Sequence, residues 1–126
     1  ILMPEDTALS SKQYISPADL YNVPLIVPNR SELQMELSAW LQKDLSLLQI
    51  SATYNLIHTA ALSVRNNLGY ALVLNKLTYA EQEQGLCFRP LVPSMEEKLC
   101  IAWKKYQTFS KTAELYKDKL TSIFTK

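Results

Sequence analysis

Cys87, Cys100 and His58 are the side chains of this 126-residue chain with the chemistry to hold a metal, carry redox work or act as a base near neutral pH. Their spacing gives them no such role. The cysteines lie in separate strand-like segments without a C-x-x-C pair, so both read as small buried apolar residues. A single histidine with no cysteine beside it does not make a zinc site. No G-x-S-x-G and no G-x-x-x-x-G-K occurs, and with two glycines, Gly69 and Gly85, no glycine-rich loop can cradle a phosphate. No nucleophile, base and orienting group can be assembled. The expectation is a protein that is not an enzyme and needs no cofactor and no metal.

What remains is binding chemistry, and the residues that could do it stand where helices begin. Asn29 and Glu32 have the spacing of a capping box, and Asn55 can accept from a free N–H group of a first turn. The plain reading makes Asn29, Ser31 and Asn55 caps, Arg30 a solvated cation beside one, and His58, one turn further, a partly buried structural histidine. Trp40 and Trp103 read as core. Glu96-Glu97 and Lys104-Lys105 read as charged ends of neighbouring strands, without chemistry.

The elements that must position these residues centre on Tyr54 to Leu74. Leu56, Ala60 and Val64, joined by Ile57, Ala61 and Leu68, give a helix with a broad apolar face. Gly69 stands where a helix stops in the left-handed conformation. Tyr70 to Leu74 is an unalternated apolar run, the habit of a strand covered on both faces. Upstream, Ile1 to Met3 ends a strand at Pro4, Ser16 and Pro17 open a helical turn, and Leu25 to Val27 form a short strand between prolines. A helix follows from Asn29 to about Lys43, with Leu33, Leu37, Trp40 and Leu41 on one side, and then a strand over Leu47 to Thr53. Downstream come a helical turn within Leu77 to Gln84, strands over Leu86 to Val92 and Leu99 to Trp103, and a last helix capped by Ser110 with Ala113, Tyr116, Leu120, Ile123 and Phe124 on one face. Strands alternating with helices predict an α/β sheet with right-handed crossovers.

Composition narrows the function classes. Hydrophobic residues make up 48% and charged residues 20%, which is globular. Thirteen basic residues against twelve acidic leave no electrostatic footprint for nucleic acid. No apolar run nears the roughly 20 residues of a membrane span, and no basic-then-apolar leader with a cleavage site is visible in the sequence. The chain opens on Ile1 inside an apolar run, as a segment cut from something longer would.

Several segments, in order, resemble the effector-binding domain of LysR-type transcriptional regulators. Pro4 to Leu9 is similar to the family's acidic-His-Pro-Leu loop, with Thr7 and Ala8 in place of His and Pro. Asp19-Leu20 with Pro24-Leu25-Ile26 resembles the next block, and Asn67 to Leu74 its glycine-then-strand block, with Asn67 for the first glycine and Asn75 for the usual proline. Arg89-Pro90-Leu91, Leu99 to Lys104 and Ser110 to Ala113 resemble its closing strands and final helix.

The resemblance implies a three-layer α/β/α lobe of a fold similar to type 2 periplasmic binding proteins, truncated. About 4–103 would be the second lobe, and about 104–126 a returning segment and the final helix of the first. It implies a small, anionic effector between two lobes, lying against the helix N-termini at Pro28, Asn29, Arg30 and Ser31 and at Thr53, Tyr54 and Asn55, with His58 a further candidate. It also implies a cytoplasmic regulator that meets DNA only through an absent winged helix-turn-helix, that forms dimers, and that does not contact a membrane. A solute-binding protein of a transporter and a purely dimerising or structural module are the alternatives. Without the first lobe, apolar surface around Ile1 to Met3 and on the last helix would be exposed and invite self-association.

Overall fold

A strand side chain points to the opposite face from its neighbour, so a segment apolar at every position must be covered on both sides. Ile1-Leu2-Met3 and Leu25-Ile26-Val27 meet that demand in the computed structural model, which describes residues 1–75, 85–97 and 100–124. Strands β1 (Leu2–Pro4), β2 (Leu25–Pro28), β3 (Ile50–Tyr54), β4 (Tyr70–Ala71) and β5 (Leu86–Phe88) form one sheet in the order β3-β2-β4-β1-β5. β2 runs parallel to both β3 and β4, while β1 is antiparallel to β4 and β5. Ile1, Met3, Leu25 and Val27 pack on one face with Leu37 and Leu41 of helix α1 (Ser31–Leu41). Leu2, Ile26 and Ala71 pack on the other with Ala60, Ala61 and Val64 of helix α2 (Ile57–Arg65). The result is a three-layer α/β/α lobe around a mixed sheet.

The helices start later than their sequences suggest. The Asn29 N–H donates to the Tyr54 carbonyl (2.8 Å), which carries the β2–β3 hydrogen bonding one residue past the strand, and Arg30 after it is still extended. The cap position of α1 therefore falls on Arg30, which offers no side-chain acceptor, and Asn29 is not a cap. Likewise the chain turns into α2 at Leu56, whose carbonyl receives Thr59 (2.9 Å) and Ala60 (3.4 Å), so Asn55 is not a cap either. The Ser16 turn behaves as expected. Its N–H and hydroxyl donate to Asp19 Oδ2 at 2.9 and 2.7 Å, forming a capping box around Pro17.

α1 ends at Leu41 with Gln42 left-handed, short of Lys43. A 3₁₀ turn at Leu45–Leu47, with the Asp44 carboxylate accepting from Ser46 N–H at 2.8 Å, takes the start of the expected third strand. After α2 the left-handed residue is Asn67 (φ 58°) rather than Gly69. Gly69 is needed for a different reason. Its φ is +152°, and a Cβ there would run into the Pro24 carbonyl and lie 2.9 Å from Ser51 Oγ. The chain passes so close because Tyr70 N–H donates to that same carbonyl (2.8 Å), which seats β4 beside β2.

The carboxyl-terminal part departs most from expectation. β5 is the edge strand of the sheet and residues 100–103 do not pair with it, so they form no strand and are exposed; Leu99 lies outside the described residues, as does the turn expected in Leu77 to Gln84. Trp103 is not core: it is 53% exposed and meets Phe109 edge-to-face at 6.5 Å, with Lys117 over both rings. Cys100 is exposed and Cys87 half-buried. Helix α3 (Lys111–Phe124) is capped as expected by Ser110, whose Oγ accepts from Ala113 N–H at 3.2 Å, yet none of its residues is buried. Leu115, Tyr116, Ile123 and Phe124 all stand exposed. Ile1 to Met3, expected at an open face, are instead fully covered.

Two outcomes test this architecture. Gly69→Ala should destabilise the lobe by about 1–3 kcal/mol in urea unfolding, because the added methyl meets backbone at a glycine-only φ. Asp19 is held down to about pH 2 in its titration, first by the hydrogen bond from Lys12 and then by those from Ser16. Its pairing therefore stabilises the fold fully above the unfolded carboxyl's pKa of roughly 4 and is lost as pH falls toward 2. The stability gap between the native chain and Asp19→Asn should close over that window in a pH series of melting curves.

Candidate functional site

Parallel strands that end together leave a crevice beyond their carboxyl ends, because the helices that follow diverge to opposite faces. Here β2 ends at Pro28, β3 at Tyr54 and the extension of β4 at Leu74, and a cleft of about 740 Å³ opens beside them. The first turns of α1 form one wall, through Arg30, Leu33 and Glu36. Asn55, Leu56 and Ile57 at the start of α2 form another. The far side is the chain after β5, from Pro90 to Glu97, with Phe88 behind it.

The strand expected over Tyr70 to Leu74 pairs in the sheet only through Ala71, with one more hydrogen bond from Leu72 N–H to the Ile26 carbonyl (3.0 Å). Beyond that it leaves the ladder, and Leu72, Val73 and Leu74 turn half-exposed onto the cleft. Tyr54 fixes this departure. Its hydroxyl donates to the Leu72 carbonyl at 2.7 Å, and burial pushes the phenol up to about 12, so it stays a neutral donor at any physiological pH.

Of the residues singled out from the sequence, Pro28, Arg30, Tyr54 and Asn55 line this cleft together. Asn29, Ser31 and Thr53 are exposed neighbours of that lining and are not part of it. His58 is exposed on α2 and also stays outside, neither a lining residue nor a partly buried one. Neither helix start carries a side-chain cap. Gln34 reaches back instead, its Nε2 donating to the Pro28 carbonyl at 3.0 Å, which braces the corner between β2 and α1.

Two contributions were not legible beforehand. Most of the lining is apolar, including Leu33, Leu72, Phe88 and Met95, and these residues come from four distant segments. Glu97, read as a strand-end charge without chemistry, is 3.3 Å from the Arg30 guanidinium. The segment carrying it is tied to α1 a second time, by Trp40 Nε1 donating to the Pro93 carbonyl at 2.7 Å. Glu36 and Glu96 also line the cleft, so its one described cation is outnumbered by three carboxylates. No group of three metal-ligating side chains occurs among the described residues, and no helix among them is long and apolar enough to cross a membrane. The arrangement can enclose and orient a small, largely apolar molecule.

Comparison with known proteins agrees with this geometry. The family model described as LysR substrate binding domain matches residues 1–122. No curated protein matches the chain. Among solved structures, HinK, a LysR family transcriptional regulator from Pseudomonas aeruginosa, is similar at 19% identity with a TM-score of 0.61, over 93% of this chain and 41% of that one. The PA01 protein of the same organism, assigned to the same regulator family, is similar at 18% identity with a TM-score of 0.66, over 99% and 44%. The chain thus spans less than half the length of these regulators, and at such identity the likeness is one of fold. With the family model covering nearly all of the chain, this protein belongs to the LysR substrate binding domain family.

Proposed function

We propose that this chain is the sensing part of a LysR-type transcriptional regulator, in which a small effector binds at the cleft and shifts a two-state equilibrium read out by a DNA-binding domain elsewhere. The observation that carries the reading is the apolar cleft of about 740 Å³ at the joint carboxyl ends of β2 and β3, a shape and place suited to a ligand and without a catalytic set. Residues of about 4–103 act as the second lobe, and about 104–126 return to the first lobe. The exposed row on α3 supports that division, because an amphipathic helix gains nothing from facing water with Leu115, Tyr116, Ile123 and Phe124. The effector is a small anion whose headgroup meets Arg30 and the α1 start, while its body lies on Leu33, Leu72 and Phe88. Pro28, Tyr54 and Asn55 complete the contact. Asn29, Ser31, Thr53 and His58 have weaker claims, since they lie off the lining. The working protein is cytoplasmic, as a regulator that meets DNA must be, and is not an enzyme.

A screen of small carboxylates against the two-lobed domain tests the reading. A true effector at a hundredfold excess over its Kd should raise Tm by about 5–10 °C, as linkage to the folded state requires. A broad screen without any such shift would remove the sensing claim. The same exposed face predicts that the 126-residue chain alone self-associates, through α3 of one copy on another. Light scattering showing a monomer at micromolar concentration would contradict that.

A further inference from the structure

We propose that Glu97 sets the charge selectivity of the cleft: by occupying Arg30 it makes an anionic ligand compete with an internal carboxylate, while a neutral ligand of the same shape has nothing to displace. The inference rests on the cleft being a binding site, as proposed above, and adds how that site discriminates. Arg30 is the one cation among the described lining residues, and Glu97 holds it at 3.3 Å. The two side chains differ in exposure, 60% for Arg30 against 17% for Glu97. The carboxylate is therefore the seated partner and the guanidinium the one with room to turn toward a ligand. Glu36 and Glu96 on the same lining add to the cost of an unpaired anion, so anion binding depends on whether Arg30 is released.

Release of Arg30 has a structural consequence. Glu97 belongs to the segment Ser94 to Glu97, which forms the far wall of the cleft and is joined to α1 by this ion pair and by the Trp40–Pro93 hydrogen bond. An anion that takes Arg30 undoes one of the two ties and leaves the other. Anion capture then loosens the wall next to the start of the 100–110 segment, whereas a neutral ligand leaves both ties closed.

The test uses two probes of one shape, benzoate and benzamide, titrated calorimetrically into the 126-residue chain and its Glu97→Gln and Arg30→Gln variants. Glutamine at 97 keeps the side-chain volume, and the Trp40 tie holds the segment in place. Glu97→Gln should tighten benzoate by roughly fivefold and leave benzamide unchanged, a factor in line with what one exposed ion pair contributes. In the Arg30→Gln background the gain from Glu97→Gln should fall well below fivefold, because only the direct repulsion between the two carboxylates is then left to relieve. An unchanged benzoate-to-benzamide ratio in Glu97→Gln, with both probes still binding, would overturn the role of Glu97 and spare the binding site. Failure of both probes to bind any form would count against the cleft as a site, and the inference would fall with it.

Discussion

β2 is the constraint on which the rest of this lobe depends. It is the strand with a parallel partner on each side, and its residues are buried on both faces, Leu25 and Val27 toward α1 and Ile26 toward α2. A strand in that position cannot be satisfied by one layer of helices, because each additional buried aliphatic side chain is worth roughly 1.5–3 kcal/mol only if something covers it. The helices that follow β2 and β3 must therefore settle on opposite faces. That divergence is also what opens the cleft, so the packing of the core and the existence of the site have one cause.

The site inherits its properties from this arrangement. Its floor is apolar because it is the frayed end of a buried sheet, where Leu72 to Leu74 leave the ladder under the hold of the Tyr54 hydroxyl. Its polar features come from the chain entering the helices and from the late segment 94–97 that folds back over α1. The Arg30–Glu97 pair joins those two sources across 66 intervening residues. Such a pair, partly open to water, contributes little to stability, and its interest lies in what it does to the charge offered to a ligand.

The carboxyl-terminal stretch shows the other side of the same physics. Residues 100–110 and α3 carry apolar side chains that nothing among the described residues buries, apart from the local contact of Trp103 with Phe109 and Lys117. A capped, amphipathic helix can form from its own sequence, but where its apolar face goes is decided by what is next to it. The regulators of like fold are more than twice as long as this chain.

Local chemistry in the sequence determined a good deal: the alternating strands and helices, the apolar faces of α1 and α2, the helical turn opened by Ser16 and Pro17, the Ser110 cap and the family to which the chain belongs. These rest on periodicity, on side-chain caps and on motif order, all of which are short-range. Only the tertiary structure decided that Asn29 is pulled into the β2–β3 ladder and so loses its capping role, that Gly69 serves a close approach to Pro24, and that residues 100–103, strand-like by composition, find no partner strand among the described residues. It also brought Glu97 to Arg30 and left His58 outside the cleft. The physical reason is common to all of these: ladder hydrogen bonds, backbone contacts and ion pairs between distant segments depend on which strands become neighbours, and no residue's own neighbours in the chain encode that.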